Sequence, residues 1–173
     1  PIKIIRNTKK ETIIDMGQNM AGWVEMKIDA PQGFEILIEH CEILQKEQFY
    51  NGNIENGLEQ FRYISDGNPA IVHPHFTYYG FRYIRLTHWE GPVRLEDFDG
   101  CVVYSDLESI GHLETGDKNV NKLFSNSLWS QKDNFLDVPT DCPQRGERMG
   151  WTGDAQIFCK TAMFNMNCYA FYR

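Results

Sequence analysis

Apolar and polar positions alternate along Trp23-Val24-Glu25-Met26-Lys27-Ile28, the period-two signature of a strand with one face on a core and one in water. Similar β-rich runs cover Ile2–Ile5, Thr12–Met16, Gly22–Ala30, Phe34–Leu44, Phe61–Ser65, Phe76–Thr87 and Gly100–Tyr104. Turn signals separate them at Gly17-Gln18-Asn19, at Pro31-Gln32-Gly33 and along the polar stretch Gln45–Gly57. Many short strands with few helical signals predict an antiparallel β-sandwich of jelly-roll type over residues 1–110. The period then lengthens. Asp117 is a helix cap, and Val120, Leu123, Phe124, Leu128, Gln131 and Phe135 follow at three- and four-residue spacing. A second helical run starts near Asp154 and reaches the end of the chain. It is apolar nearly all round, so it needs partners on several sides. Residues 111–173 therefore read as the opening of a larger helical domain, with the boundary between Ser105 and Gly116. The chain as a whole is α+β.

Composition narrows the function classes. The chain has 173 residues, 42% of them apolar and 13% aromatic, enough to build a core. No apolar run is long enough to span a membrane, and no signal peptide opens the segment. The net charge of −7 argues against nucleic acid and anionic membrane surfaces as partners. Five cysteines at wide spacing, with no CxxC, predict neither a disulfide framework nor a zinc site, but reduced and mostly buried thiols. There is no internal repeat. No GxGxxG or GxxxxGK[ST] accompanies Gly17, Gly22 and Gly80, so no phosphate loop is present.

Between the two helical runs lies a segment, Asp137 to Ala155, with neither period. Pro139, Pro143, Gly146, Gly150 and Gly153 make it a shaped loop. Asp141, Arg145, Glu147, Arg148, Trp151 and Asp154 crowd into it. Carboxylates, arginines and an aromatic plane are what a sugar site needs, and clustered carboxylates favour one protonated member that serves as a general acid. The same residues also suit a solvated turn, with surface Asp–Arg pairs and a tryptophan filling the helix–sheet junction.

The run DVPTDCPQRGERMGWTGDAQIF resembles the signature of bacterial α-L-rhamnosidases, inverting glycoside hydrolases with a β-sandwich and an (α/α)6-barrel catalytic domain. GQNMAGWVEMKI, FTYYGFRYIRL, VVYSDLESIGHLETGD and NVNKLFSNSLWSQKDNFLDVPTDCPQR extend the similarity upstream in the family's own order. The resemblance implies a sandwich followed by the first helices of the barrel. It also implies that Glu147 is the general acid and that Asp141, Arg145, Trp151 and Asp154 line the rhamnose pocket, the aspartates holding hydroxyls and Trp151 packing on an apolar ring face. It assigns no cofactor and no metal. The partner it implies is a rhamnosyl glycoside or oligosaccharide. Inversion needs a second carboxylate about 6.5 to 9.5 Å from the acid. In this family the base is a glutamate later in the barrel, so it is expected beyond residue 173 and this chain alone is expected to be inactive. One departure stands out: members commonly carry an acidic residue where this chain has Gly146.

Other candidates read as structural. His73 and His75 are surface histidines beside Pro74 without a third metal ligand nearby in sequence. Phe76, Tyr78, Tyr79, Phe81, Tyr83 and Trp89 read as strand aromatics of the sandwich core rather than a sugar-stacking platform. Cys142 has no base beside it in sequence, and Asp137, Asp141 and Asp154 fit no known cation loop. Two other functional readings remain: a carbohydrate-binding or scaffolding module whose signature loop no longer turns over, and a related barrel enzyme for another deoxy sugar. The compartment stays open between bacterial cytoplasm and periplasm. The apolar last helix, uncovered, would favour self-association of the chain.

Overall fold

The computed structural model describes residues 1–54 and 58–173, and these form two compact units. The first comprises Pro1–Val102 and Gln144–Gly146, the second Val103–Pro143 and Glu147–Arg173.

The first unit is organised by a single long strand. β1 (Lys3–Arg6) pairs antiparallel with β2 (Thr12–Ile28). Gly17-Gln18-Asn19 is not the turn that its composition suggests. It is an irregularity within β2, where the pairing register shifts between Asp15 and Met20. Gly17 takes a left-handed φ of 87°, and its N–H donates to the Asp15 carboxylate at 2.8 Å. That is bulge chemistry, which bends a strand without ending it. The remaining strands are β3 (Glu35–Cys41), the small hairpin β4 (Ile43–Gln45) and β5 (Gln48–Tyr50), β6 (Gln60–Ile64), β7 (Ala70–Val72), β8 (Tyr79–His88) and β9 (Phe98–Val102). The polar stretch expected as a turn thus contains the β4–β5 hairpin; its last residues, 55–57, lie outside the described ones. The main sheet runs β1-β2-β8-β3-β6, with β7 and β9 also on β2, and all its pairs are antiparallel. This is a sandwich-like antiparallel fold.

Alternation along β2 places Val24, Met26 and Ile28 inside and leaves Lys27 exposed. They join Ile13, Ile14, Ile36, Ile38, Phe81, Ile84 and Phe98 in the core. Of the strand aromatics, Tyr79 and Phe81 are buried, whereas Phe76 is fully exposed. His73 stacks on Trp23 at 5.8 Å and lies 4.6 Å from His75, ring to ring. Two ion-pair sites are sunk into the sheet. Asp15 takes two hydrogen bonds from Arg82, at 2.9 and 3.1 Å, and Arg85 bridges Glu11 and Glu39. Burial opposes the charged form of Glu39, but hydrogen bonds from Thr87 and Arg85 outweigh it and hold the carboxyl below its ordinary range.

His40 of β3 is buried between Tyr79 and Phe81, at ring distances of 4.0 and 4.8 Å, with Nδ1 3.0 Å from the Glu59 carbonyl. Burial pushes its imidazole down to about 4. The unfolded chain, with histidine near 6.5, therefore takes up this proton first as pH falls. The contribution of neutral His40 is intact above pH 6.5 and is lost on the way down to about 4, about 3 kcal/mol in all. The contribution of Glu11 and Glu39, held low by hydrogen bonds that include Arg85, begins to be lost as pH falls past the ordinary glutamate value of 4.5, at the foot of this range. Urea unfolding followed from pH 7 to 4 is expected to show the loss, and His40→Gln to flatten it; an unchanged slope in the variant rules this origin out.

In the second unit, α1 (Lys118–Asn134) opens on Asp117, whose side chain accepts the Asn119 N–H at 2.8 Å. Only the C-terminal part of its apolar stripe is covered: Phe135 is buried, while Leu123 is 68% exposed. β10 (Phe135–Leu136) and β11 (Val138–Pro139) form a tight hairpin around Asp137, which adopts φ 64°. α2 (Thr152–Asn165) stops well short of the chain end. The Asn165 carbonyl accepts the Ile110 and Gly111 N–H groups, and Met166 is extended and bridges to Ser109. The 109–111 strand-like segment thus takes the carbonyl that another helical turn would need. Phe135, Ala162, Met166 and Cys168 form the core of this unit, flanked by Leu128, Phe158, Phe171 and Tyr172. Ile157 and Phe164 on α2 are exposed. The five cysteines form no disulfide, but only Cys41 and Cys168 are buried, fewer than expected; Cys101, Cys142 and Cys159 are half-buried because they lie at strand, loop and helix surfaces.

Candidate active site

The signature segment is more ordered than its mixed composition suggests. Thr140 donates its N–H to the Asn134 carbonyl at 2.8 Å and bridges across to Gly150. The Asp141 N–H reaches the Met149 carbonyl and the Trp151 N–H the Pro139 carbonyl, each at 3.3 Å. Residues 140–150 are therefore a closed excursion whose two limbs run side by side. Arg148, in a left-handed conformation with φ 35°, donates from Nε to the Pro143 carbonyl at 3.0 Å.

Closure brings side chains together that are six residues apart in sequence. One ligand atom each of Asp141, Cys142 and Glu147 lie within 4.8 Å of one another. The half-buried Glu147 carboxyl is gripped at both oxygens. The Cys142 thiol donates to Oε2 at 3.3 Å, and the Trp151 indole N–H donates to Oε1. Trp151 itself is half exposed and stands immediately before α2. Asp154 lies in the first turn of that helix, where the N-terminal dipole favours a negative charge. Asp141 and Asp154 line a common cavity of about 200 Å³ with Thr140, Phe158 and Tyr172. Asp137 does not line it. The Tyr172 hydroxyl is buried with no partner among the described residues, and burial pushes its phenol up to about 12.

Four of the five predicted site residues, Asp141, Glu147, Trp151 and Asp154, thus belong to the second unit. Arg145 belongs with Gln144 and Gly146 to the first. There the seat is Gly80 of β8. A Cβ built on Gly80 would lie 2.7 Å from Gln144 Cβ and 2.8 Å from its Cα and N, so the strand main chain packs directly on the loop main chain. Gly80 enters the sequence reading only as a glycine outside any phosphate loop, not as a packing seat. The available signal was a lone glycine in the otherwise bulky run Tyr78-Tyr79-Gly80-Phe81, the mark of a close backbone approach. Cys142 is set aside in sequence only as a nucleophile without a base, and nothing local announces its contact with Glu147.

Comparison with known proteins gives this geometry a family. Residues 5–104 match the bacterial alpha-L-rhamnosidase concanavalin-like domain, and residues 108–173 match the bacterial alpha-L-rhamnosidase 6 hairpin glycosidase domain. The chain belongs to the bacterial α-L-rhamnosidase family. An α-L-rhamnosidase of Formosa agariphila is 38% identical over 92% of this chain, and one of Alteromonas sp. is 34% identical over 99%. Among solved rhamnosidases, that of Dictyoglumus thermophilum is 38% identical with a TM-score of 0.94, covering 99% of this chain and 20% of that one. The Streptomyces avermitilis rhamnosidase, solved in complex with L-rhamnose, is 33% identical with a TM-score of 0.94, covering 99% of this chain and 17% of that one. The chain spans 18% and 19% of the two curated rhamnosidases.

Proposed function

We propose that the protein carrying this chain removes terminal α-L-rhamnose from glycosides with inversion, and that this chain supplies the acid side of the site. The observation that carries the reading is the Glu147 carboxyl held between Cys142 and Trp151, with the Asp141 carboxyl beside it and a cavity lined by Asp141 and Asp154. Glu147 gives its proton to the glycosidic oxygen as the C–O bond breaks and the aglycone leaves as an alcohol. Water attacks the anomeric carbon from the opposite face and loses its proton to a second carboxylate. Asp141 and Asp154 accept hydrogen bonds from sugar hydroxyls, Arg145 donates to them, and Trp151 covers the ring. Gly146 removes one like-charge neighbour of Glu147, and the Asp141 carboxyl remains beside the acid. The base is a glutamate of the later barrel, outside residues 1–173, and residues 111–173 are the barrel's opening helices, so this chain alone does not turn over. With the complete protein and an aryl α-L-rhamnoside, proton NMR is expected to show β-L-rhamnose as the first product, before mutarotation. An α-anomer first would exclude inversion, and rhamnose binding without hydrolysis of any rhamnoside would favour the binding-module reading.

A further inference from the structure

The terminal torsion of a glutamate is broad, so a general acid on a loop needs fixing if its proton is to point at one oxygen. Here the fixing comes from two sides: Trp151 beyond the returning limb of the loop meets Oε1, and Cys142 on the outgoing limb meets Oε2. A thiol is a weak donor, strengthened by a charged acceptor. The S–H can donate to a lone pair of Oε2 both while the acid holds its proton, which then points away from sulfur, and after proton transfer, when the contact strengthens.

We propose that Cys142 is a positioning residue for Glu147, holding Oε2 so that the acid's proton is aimed at the departing oxygen. This rests on the reading of Glu147 as the acid. The test uses the complete protein, with Cys142→Ala and Cys142→Ser compared on two rhamnosides, one with an activated nitrophenolate leaving group and one with a simple alcohol. An activated leaving group departs with little help from an acid, so it reports on everything except proton delivery. Cys142→Ala is expected to lower kcat about 10- to 100-fold on the alcohol rhamnoside and less than about threefold on the activated one, with KM little changed. Cys142→Ser, which keeps a donor and acceptor at that place, is expected to restore most of the loss. Equal losses on both substrates, or none on either, or a serine variant as poor as alanine, would overturn the proposal. A wild type that hydrolyses neither rhamnoside overturns the reading of Glu147 along with it, whereas an active wild type with an indifferent Cys142→Ala variant overturns the role of Cys142 alone.

Discussion

Replacing Glu147 with glutamine in the complete protein is expected to lower kcat on rhamnosides of poor leaving groups by about 10²- to 10⁴-fold, the usual worth of a positioned general acid. Glutamine keeps the shape of the side chain and an oxygen able to accept one of the two hydrogen bonds from Cys142 and Trp151. It has no proton to give. Activated nitrophenyl rhamnosides, which need little protonation, should therefore lose far less. L-Rhamnose binding, measured by calorimetry, should stay within a few-fold of wild type, since Asp141 and Asp154 still line the cavity. A variant that hydrolyses poor substrates as the wild type does would remove Glu147 from the role of acid. A variant that neither binds nor hydrolyses would make Glu147 a binding residue instead.

The second large effect is expected at a residue with no functional group. Gly80→Ala puts a methyl carbon within 2.8 Å of the Gln144 main chain, where no flexible side-chain tip is available to give way. Either β8 or the Gln144–Gly146 turn must move by a sizeable fraction of an ångström. A shift near 1 Å in a catalytic segment costs on the order of 10²-fold in rate. Overpacking of this kind costs about 1 to 3 kcal/mol in stability. The expectation is a lower melting temperature together with a loss of kcat/KM on every rhamnoside, activated or not, because Arg145 moves with Gln144. That breadth separates Gly80→Ala from the leaving-group-dependent variants above. Wild-type kinetics in a folded Gly80→Ala variant would mean that the turn is not seated on β8.

Much of this arrangement is legible in the sequence, for reasons that can be named. Alternation in Trp23–Ile28 survives because that strand has one buried face, and Asp117 caps its helix through a contact two residues away. Local signals of this kind are readable locally. The errors arise where distant partners decide. Gly17-Gln18-Asn19 has turn composition, yet β8 pairs with β2 on both sides of it, so the strand continues through a bulge. The last helix looks unbroken to Arg173, yet Ile110 and Gly111 claim the Asn165 carbonyl and end it. At the site the same division holds. Glu147, Asp141, Trp151 and Asp154 were picked out by residue type, density and family resemblance. The thiol on Glu147 depends on loop closure, which no local pattern records, and the lone glycine in Tyr78–Phe81 marks a close approach without naming its partner, Gln144, more than sixty residues later.

The long β2 strand also bears on the order of events at the ribosome. It pairs with β1, just upstream of it, but its other partners, β7, β8 and β9, are made later, and the pair Gly22–Val102 joins residues eighty apart. At roughly 5–20 residues per second, several seconds pass between the emergence of β2 and that of its last partner. Throughout that interval Ile13, Ile14, Val24 and Met26, all fully buried at the end, are on a nascent chain with an unpaired strand edge. Holdase chaperones that bind extended apolar segments would find their target here, and a ribosome pausing before residue 102 would lengthen the exposure.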